Sequence, residues 1–531
     1  TGIDGDFTLS GVSEGSILVI SYVGYVTQEV KFNGQPLNVI LKEDSQTLEE
    51  VVVVGYGVQK KANLTGAVAT VNAKALESRP VSSVSAAIAG QMPGVTAIQS
   101  SGAPGGQAAD ITIRGKNSIN AASPLVIVDG VPGSMNTIDP NDIETFTVLK
   151  DAASAAIYGS RGSNGVVLVS TKQGKSGKAK VAFNASFGVQ TLEKKMDVLN
   201  ATEWMEFKLR WNDANYLQEA KKLGLTSASI KDDNATRLSN LGIQAGTANS
   251  YLVVFDERWF NYLGDDMRNA HTYTPNPEQL SLLDWQDEFF RNSIVQDYSL
   301  NVSGGTENTS YLFSGGYMNQ AGIVTGTGYE RFSFRANIES KINKYLTIGM
   351  NMAPTYIVQD GSGQANGKDS QVHQALYATP VSEPGVGYMT NVDPNPYYLW
   401  AGSTSSPVYN MEKNIKQNRM MRLVGNAFVR ITPFKDFRVE LSASANYYDL
   451  DGNDYKYTST TGSWAQGEGQ NSSGGHNTER KWSTLLQALA NYDHVFGNHG
   501  ISVIAGFSSE QSNLGFSTAQ SFNKPFPNDA I

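Results

Sequence analysis

The sequence predicts a mainly β protein: a transmembrane antiparallel β-barrel, with an α+β domain and part of a small β-sandwich ahead of it. From residue 179 onward, long segments alternate apolar and polar residues, as strands do when one face meets lipid and the other water. The composition agrees, since 52 glycines, 24 tyrosines and 21 phenylalanines accompany only 17% charged residues. No run of about 18 apolar residues occurs, and mean hydropathy is −0.30, so the sequence excludes membrane-spanning helices.

Residues 1–43 contain short strands between glycine-rich turns, typical of part of a β-sandwich whose first strands precede Thr1. The chain opens in mid-pattern without a signal peptide, so we expect an N-terminal truncation. A valine run then favours an extended strand. With no second strand near enough to form a hairpin, its backbone would be open to a strand of another chain. Residues 44–59 are therefore interpreted as a linker with a docking strand: Leu48, Glu49, Glu50, Val51, Val52, Val53, Val54, Gly55, Tyr56 and Gly57.

Residues 60–175 mix short helices with short apolar strands and form the predicted α+β domain. A helix is predicted over 82–92, because apolar residues recur there every four positions and Pro93-Gly94 stops it. Two further helical turns are predicted at 141–144 and 152–158. Strands that are apolar on both faces, as buried strands are, are predicted at 111–113, 125–128, 145–149 and 166–170.

Residues 176–531 form the predicted barrel region. Its connections alternate between tight turns and long loops, the longest being 193–293 and 360–413. A soluble sandwich with one wet face shows the same residue alternation, but long loops on one edge and tight turns on the other are the asymmetry of outer-membrane barrels. An odd number of strands cannot close a bacterial single-chain barrel, so we expect a fragment. The nine predicted strands lie near 179–192, 294–304, 308–320, 328–342, 345–359, 414–432, 436–450, 479–495 and 500–513.

Three segments resemble the plug domain of TonB-dependent outer-membrane transporters of the SusC/RagA family. They are Ile111-Thr112-Ile113-Arg114-Gly115, Val126-Ile127-Val128-Asp129-Gly130, and the stretch from Leu149-Lys150-Asp151 through Tyr158-Gly159-Ser160-Arg161-Gly162 to Lys172. The valine run matches the TonB box of that family, and residues 1–43 resemble its carboxypeptidase-regulatory-like domain. The resemblance is close to about residue 175 and rests on pattern beyond. It implies a 22-stranded barrel in the bacterial outer membrane, of which about nine strands are present here.

The resemblance also implies a function and partners. These are active import of a nutrient oligomer, either oligosaccharide or peptide, energised by the periplasmic protein TonB, with a SusD-like surface lipoprotein as a lid. It implies no covalent chemistry and no cofactor. Two other classes are weighed: a signal-transducing outer-membrane receptor that contacts a periplasmic regulator, and a secreted β-sandwich adhesin, which the plug-like and TonB-box segments disfavour.

Composition and motif searches argue against other functions. Cysteine is absent, so the chain has no disulfide framework and no thiolate nucleophile. The net charge of −9 disfavours nucleic-acid binding, which needs a basic surplus. The five histidines show no zinc-binding spacing, and Gly174-Lys175-Ser176 lacks the earlier glycine of a phosphate loop. We therefore expect neither an enzyme nor a metal site.

Two further groups of residues are candidates for function. Charged residues that border buried strands or glycine turns are expected to pair with one another or with the barrel wall, because burying an unpaired charge costs several kcal/mol. They are Arg114, Asp129, Lys150, Asp151 and Arg161. Aromatic residues in the long connections could stack on a sugar or a peptide, or could instead form local loop cores. The substrate-binding candidates are Trp259, Trp285, Tyr397, Tyr398 and Trp400.

Overall fold

The structure is a computed structural model of the 531-residue chain. It describes residues 8–20, 28–40, 51–54, 57–60, 68–72, 83–99, 102–105, 109–115, 123–135, 138–247, 249–255, 260–262, 273–275, 281–361, 370–382, 408, 411, 414–456, 473–497 and 499–523.

Two small antiparallel strand pairs lie in the N-terminal region. β1 (Ile17–Ile20) pairs with β2 (Gln28–Lys31), and β3 (Val51–Val54) pairs with β4 (Gly57–Lys60). The prediction of a valine strand without a hairpin partner is therefore wrong. Only residues 55–56 separate β3 from β4, and two-residue connections are the commonest in hairpins. The segment Gly57-Val58-Gln59-Lys60 has a single β-branched residue, so its composition did not mark it as a strand.

The α+β domain is built on a five-stranded sheet of order β5-β10-β11-β8-β9. β8 and β11 are parallel, the other neighbours are antiparallel, and β6 pairs with β7 separately. The core lies between the sheet and the first helix, where Val84 and Ile88 pack with Phe146, Val148 and Val167. The elements are β5 (Val68–Asn72), α1 (Val84–Ala87), β6 (Val95–Ile98), β7 (Asp110–Ile113), β8 (Leu125–Val128), β9 (Val131–Pro132), β10 (Ile143–Leu149), α2 (Ala152–Ala155) and β11 (Val166–Thr171).

The predicted strands of this domain agree with the structure, whereas its helices are shorter than predicted. The helix predicted over 82–92 is confined to α1, and Gly90 takes a left-handed φ of 73°, which a continuing helix cannot contain. The turn predicted at 141–144 is a 3₁₀ turn over Pro140–Asp142, and Glu144 belongs to β10. The segment 152–158 divides into α2 and a 3₁₀ segment over Ala156–Gly162.

A folded connection follows β12 (Gly177–Gln190), the first strand of the larger sheet. Two of its helices enclose a small core of Tyr216, Ala220, Leu238, Val253 and Val254. The first part of this long connection is therefore a small folded unit. Its elements are α3 (Ala201–Lys222), α4 (Asn234–Leu241), β13 (Phe260–Tyr262), β14 (Tyr273–Pro275), β15 (Ser281–Leu282) and α5 (Trp285–Phe289). Among the described residues, no helix is both long enough and apolar enough to cross a membrane.

The larger sheet is an antiparallel meander of nine strands. Their order is β12-β16-β17-β18-β19-β21-β22-β23-β24, so neighbouring strands of the sheet follow one another along the chain. Within the described residues β12 and β24 are each paired on one side, so the barrel is open. These nine strands agree with the predicted fold class, an antiparallel barrel of which about nine strands are present. After α5 come β16 (Ser293–Gly305), β17 (Thr309–Ala321), β18 (Gly328–Lys341), β19 (Leu346–Asp360), α6 (Gln371–Tyr377), β20 (Val381–Ser382, paired with β15), β21 (Ile415–Phe434), β22 (Phe437–Lys456), β23 (Ser473–Phe496) and β24 (His499–Asn523).

The connections of this sheet divide between its two edges. Residues 306–308, 342–345, 435–436 and 497–498 make tight turns on the edge where β12 begins, here called the short-turn edge. Residues 191–292, 322–327, 361–414 and 457–472 form the long-connection edge. Exposed aromatic side chains such as Tyr345, Phe434 and Phe496 lie at the tight turns, as in the aromatic girdle of a membrane barrel.

The two faces of the sheet differ in polarity, as the period-2 pattern predicts. On β18, Phe332 and Phe334 are exposed on one face, whereas Arg331 and Arg335 are buried on the other against the α+β domain. On β16, Tyr298 and Leu300 are exposed while Ser299 and Asn301 are buried. The apolar face is therefore the outer, lipid-facing surface of the barrel, and the polar face encloses the smaller domain.

Candidate functional site

The proposed docking strand is only partly within the described residues. Val51, Val52, Val53 and Val54 form β3, and Gly57 begins β4. Leu48, Glu49, Glu50, Gly55 and Tyr56 lie outside the described residues. In the described part of the chain the pair β3–β4 is a sheet of two strands, so the second edge of β3 carries no strand there. A partner could thus add to that edge or replace β4.

Two arginines of β18 form the buried ion pairs between the α+β domain and the barrel wall in the described part of the chain. Arg331 pairs with Asp139 at 3.1 Å between Nη2 and Oδ2, and both side chains are at most 3% exposed. Arg335 contacts two aspartates: its Nη1 is 3.2 Å from Asp129 Oδ2, and its Nε is 3.4 Å from Asp142 Oδ2. We call these five residues the β18 contact. It ties one barrel strand to two separate turns of the smaller domain.

Further hydrogen bonds fix the geometry of the aspartates. Asp129 Oδ1 accepts from the Thr171 backbone N–H at 2.9 Å, and its Oδ2 accepts from the Thr171 hydroxyl at 2.7 Å. Arg335 Nη1 also donates to Thr171 Oγ1 at 2.9 Å. Asp139 accepts from the Asn141 N–H at 2.9 Å and from Ser333 Oγ on the wall at 3.2 Å. The carboxylates of Asp129 and Asp139 are thus each oriented by a backbone N–H of their own domain.

The β18 contact contains more acidic than basic side chains. Three aspartates of the smaller domain face two arginines, and Asp297 of β16 lies next to them, accepting from Asn141 Nδ2 at 3.3 Å. Burial raises the pKa of Asp142 above its ordinary value, while the neighbouring Arg335 opposes this shift and Asp139 adds to it. The contact therefore contains more buried carboxyl groups than guanidinium groups, and Asp142 keeps its proton to a higher pH than a free aspartate does.

The predicted polar contacts of this domain have different surroundings. Asp129 belongs to the β18 contact, and Arg161 Nη1 lies 2.6 Å from Glu510 of β24 in an exposed pair. Lys150 donates to the Pro93 carbonyl within the domain, and Asp151 caps α2 by accepting from Ser154 N at 2.7 Å. Arg114 is exposed and has a left-handed φ of 57°. The structure thus brings Asp129 and Arg161 to the wall, and leaves the other three on their own domain.

The aromatic candidates for cargo binding are located only in part. Trp285 is 8% exposed; its ring packs with Phe289, Val324 and Ala375, and its Nε1 donates to the Thr379 carbonyl at 2.8 Å. Its assignment as a stacking residue is therefore corrected: apolar residues of three different connections bury the ring in a loop core. Trp259, Tyr397, Tyr398 and Trp400 lie outside the described residues.

Sequence reasoning overlooked four of the five residues of the β18 contact. Arg331 and Arg335 sit at alternate positions on the polar face of a strand whose other face carries phenylalanines. Asp139 and Asp142 flank Pro140 and Asn141 just before a buried strand. Two arginines four positions apart, on the polar face of a barrel strand, were a usable signal that the wall meets buried acids.

Comparisons with known proteins agree with this architecture. Residues 60–166 match the family model of the TonB-dependent receptor plug domain. The TonB-dependent receptor SusC of Bacteroides thetaiotaomicron is 34% identical over 64% of this chain and 29% of its own length. The RagAB peptide importer in its open-open state matches with a TM-score of 0.66 at 22% identity, over 89% of this chain and 53% of that chain. The chain belongs to the SusC/RagA family of TonB-dependent transporters.

Family membership confirms the resemblance seen in the sequence and the predicted fold class. It also places the protein in the bacterial outer membrane, and the α+β domain is its plug. The TonB-dependent receptor P3 of Formosa agariphila is 28% identical over 98% of this chain and 46% of its own length. The chain thus spans about half or less of the length of the curated relatives it matches.

Proposed function

We propose that the protein imports nutrient oligomers across the outer membrane, energised through TonB. The observation that carries this proposal is the arrangement of the plug. It is seated inside the barrel by a small number of buried ion pairs, and a short strand able to recruit a partner lies upstream of it. A plug held in this way closes the barrel at rest and can be displaced by a pull on its N-terminal segment.

The route of such a pull follows from the topology of the plug. TonB adds a strand to Val51–Val54, and the chain from there leads to β5, the edge strand of the plug sheet. Val68 is opposite Leu149 of β10, and Asn72 is opposite Thr145. Asp142 adjoins the opposite end of β10 and is held by Arg335. A pull at Val68 is therefore resisted by the paired strands β5 and β10 together with the Asp142–Arg335 ion pair.

The proposed function also includes a kind of cargo and a partner protein that acts as a lid. We infer an oligosaccharide or a peptide, bound between the long-connection edge and a SusD-like surface lipoprotein. The fold likeness to the RagAB peptide importer makes a peptide a concrete candidate. The unlocated aromatic residues Trp259, Tyr397, Tyr398 and Trp400 stay candidates for stacking on the cargo. Val51–Val54 and their flanking residues stay the proposed TonB-binding strand.

The test is the double variant Val52→Pro with Val54→Pro in the full-length protein. Proline removes the backbone donors that strand addition needs, so uptake of a labelled oligomer should fall to background. The matched control is Val52→Thr with Val54→Thr, which keeps both donors and strand propensity and should import normally. Both variants should reach the outer membrane and bind cargo as the wild type does. Normal uptake by the proline variant would contradict the proposal.

A further inference from the structure

A row of side chains on the lumenal wall crosses five strands at the level of the β18 contact. Ser333 Oγ donates to Asp139 of the plug, so Ser333 marks the lumenal face of β18. Directly opposite residues of antiparallel strands share a face. The registers of β18 to β23 therefore place on this face, in order after Ser333, the residues Thr355, Arg422, Tyr448 and Lys481.

Arg422 differs from the other lumenal arginines of the described wall. Arg331 and Arg335 pair with plug aspartates, and Arg430 pairs with Glu339 at 3.2 Å and Glu440 at 2.8 Å. In the described part of the chain Arg422 has no carboxylate within ion-pair distance, and its buried Nε makes no hydrogen bond. Its guanidinium carbon instead lies 4.7 Å from the centroid of the Tyr448 ring. A half-buried guanidinium whose Nε–H has no hydrogen-bond partner is suited to an anion from outside the wall.

Lys481 is the neighbour of Tyr448 on β23, on the side away from Arg422. Its Nζ is 5.9 Å from the Tyr448 ring centroid and 2.5 Å from Glu479 Oε1. The Lys481 side chain is 46% exposed, so it is open to the lumen. One aromatic ring is thus flanked by two cations, of which Arg422 lacks an acidic partner among the described residues.

The Tyr448 end of this row lies next to a contact between the plug and the barrel wall. The plug backbone at Gly133 approaches Asn446, since a Cβ built there would lie 4.0 Å from Asn446 Nδ2. Asn446 is two residues before Tyr448 on β22 and shares its face. Because β22 runs from the tight turn 435–436 toward the long connection 457–472, Tyr448 lies on the long-connection side of that plug contact. On β22 the row therefore lies beyond that contact, toward the long connections, whereas on β18 and β19 the plug reaches past the row to Tyr329 and Gln359.

We propose that Arg422 and Tyr448, with Lys481 beside them, form a cargo subsite that binds a carboxylate-bearing oligomer on the long-connection side of the plug contact at Asn446. This rests on the proposed import function and specifies its substrate class. The Arg422 fork donates to the carboxylate, and the Tyr448 ring offers a flat surface to the adjoining sugar ring or peptide unit. Lys481 contributes a second positive charge. The carboxylate can belong to an acidic peptide or to a uronic acid of a glycan.

The experiment measures binding to the purified full-length protein by calorimetry, with two pairs of probes. One pair is an octapeptide of alternating alanine and glutamate and its glutamine counterpart; the other is a galacturonic acid octamer and its methyl ester. Arg422→Met should weaken binding of at least one acidic probe about tenfold or more, since hydrogen bonds between charged groups are strong. It should leave the neutral counterpart unchanged. Arg422→Lys should recover part of the loss, because it keeps the charge without the fork.

Arg419→Met is the matched control, because Arg419 lies on the same strand but, three positions away, on the opposite face. It should bind all probes as the wild type does. Loss with the peptide alone or with the glycan alone identifies the source of the carboxylate. Failure of the wild type to bind either acidic probe, or an equal loss with acidic and neutral probes, overturns the subsite. Import of neutral oligomers that stops in the Val52→Pro, Val54→Pro variant would leave the proposed function standing in that case.

Discussion

Replacing Arg335 with methionine removes the cation that Asp129 and Asp142 share in the β18 contact. Methionine keeps most of the side-chain length, so the change is chiefly one of charge. Removing one partner of a buried ion pair costs about 3–5 kcal/mol, because the remaining charge stays buried without compensation. If that cost falls on the seated plug, the population with a displaced plug rises about 10²- to 10³-fold or more.

The readout is amide hydrogen exchange in the plug of the full-length protein in lipid, followed at β10 and β11. Exchange should accelerate in Arg335→Met, and cells that carry this variant should admit a large hydrophilic antibiotic without TonB. The matched control is Arg161→Met, which breaks a pair whose arginine is 54% exposed. Exposed pairs contribute about 0–1 kcal/mol, so this control should exchange as the wild type does. Equal exchange in both variants would refute the reasoning that the β18 contact holds the plug.

The pH dependence of the same experiment is a sharper test. The folded-state pKa of Asp142 is raised by burial, so its contribution to stability is full below the ordinary pKa and is lost as pH rises through the raised value. Arg335 opposes this rise, and its removal should raise the pKa of Asp142 further. The loss of plug stability in Arg335→Met, measured as faster amide exchange, should therefore be smaller in mildly acidic buffer than at neutral pH. A loss of plug stability that grows on acidification would exclude Asp142 as the titrating group.

Two other predictions concern the long-connection edge. Arg237 is fully buried; it pairs with Asp213 and donates to the Val253 carbonyl at 2.9 Å, so Arg237→Met should destabilise the α3–α4 unit by about 3–5 kcal/mol. Limited proteolysis should then cut within 200–255 while the barrel stays intact, and an uncut unit would contradict this. Trp285→Ala should cost about 3–5 kcal/mol locally through the cavity it leaves, measured as faster exchange in α5 and α6. Weaker cargo binding without faster exchange would show that Trp285 contacts cargo after all.

The strands were predictable because each barrel strand carries its own signal. The alternation of Phe332 and Phe334 with Arg331 and Arg335 depends only on neighbours along the chain. The tight turns then fixed where each strand ends. In the plug, β10 and β11 are continuous apolar runs, and these too are local features. The helix over 82–92 was predicted to be too long, because the spacing of apolar residues does not show that Gly90 adopts a positive φ.

The contacts between elements were not predictable in the same way. Whether Asp142 meets Arg335 depends on how the plug sits inside the barrel, and residues nearly 200 positions apart carry no mutual signal in one sequence. Trp285 was misassigned for a related reason: its burial depends on Val324 and Ala375, which other connections contribute. The pairing of β3 with β4 was overlooked because Gly57-Val58-Gln59-Lys60 lacks the valine content that marks its partner.

The polar character of the plug contact suits a domain that, in the proposed function, is held and later released. An apolar interface would resist separation in proportion to its area, at about 25 cal/mol per Å², because water cannot stabilise the surfaces that are exposed. An ion pair behaves differently: with both partners present, water entering behind a moving plug solvates the arginine and the aspartate alike, so complete separation costs little. A plug seated in a wrong register leaves charges buried and unpaired, which costs several kcal/mol. The β18 contact can therefore fix the position of the plug without making its release prohibitive.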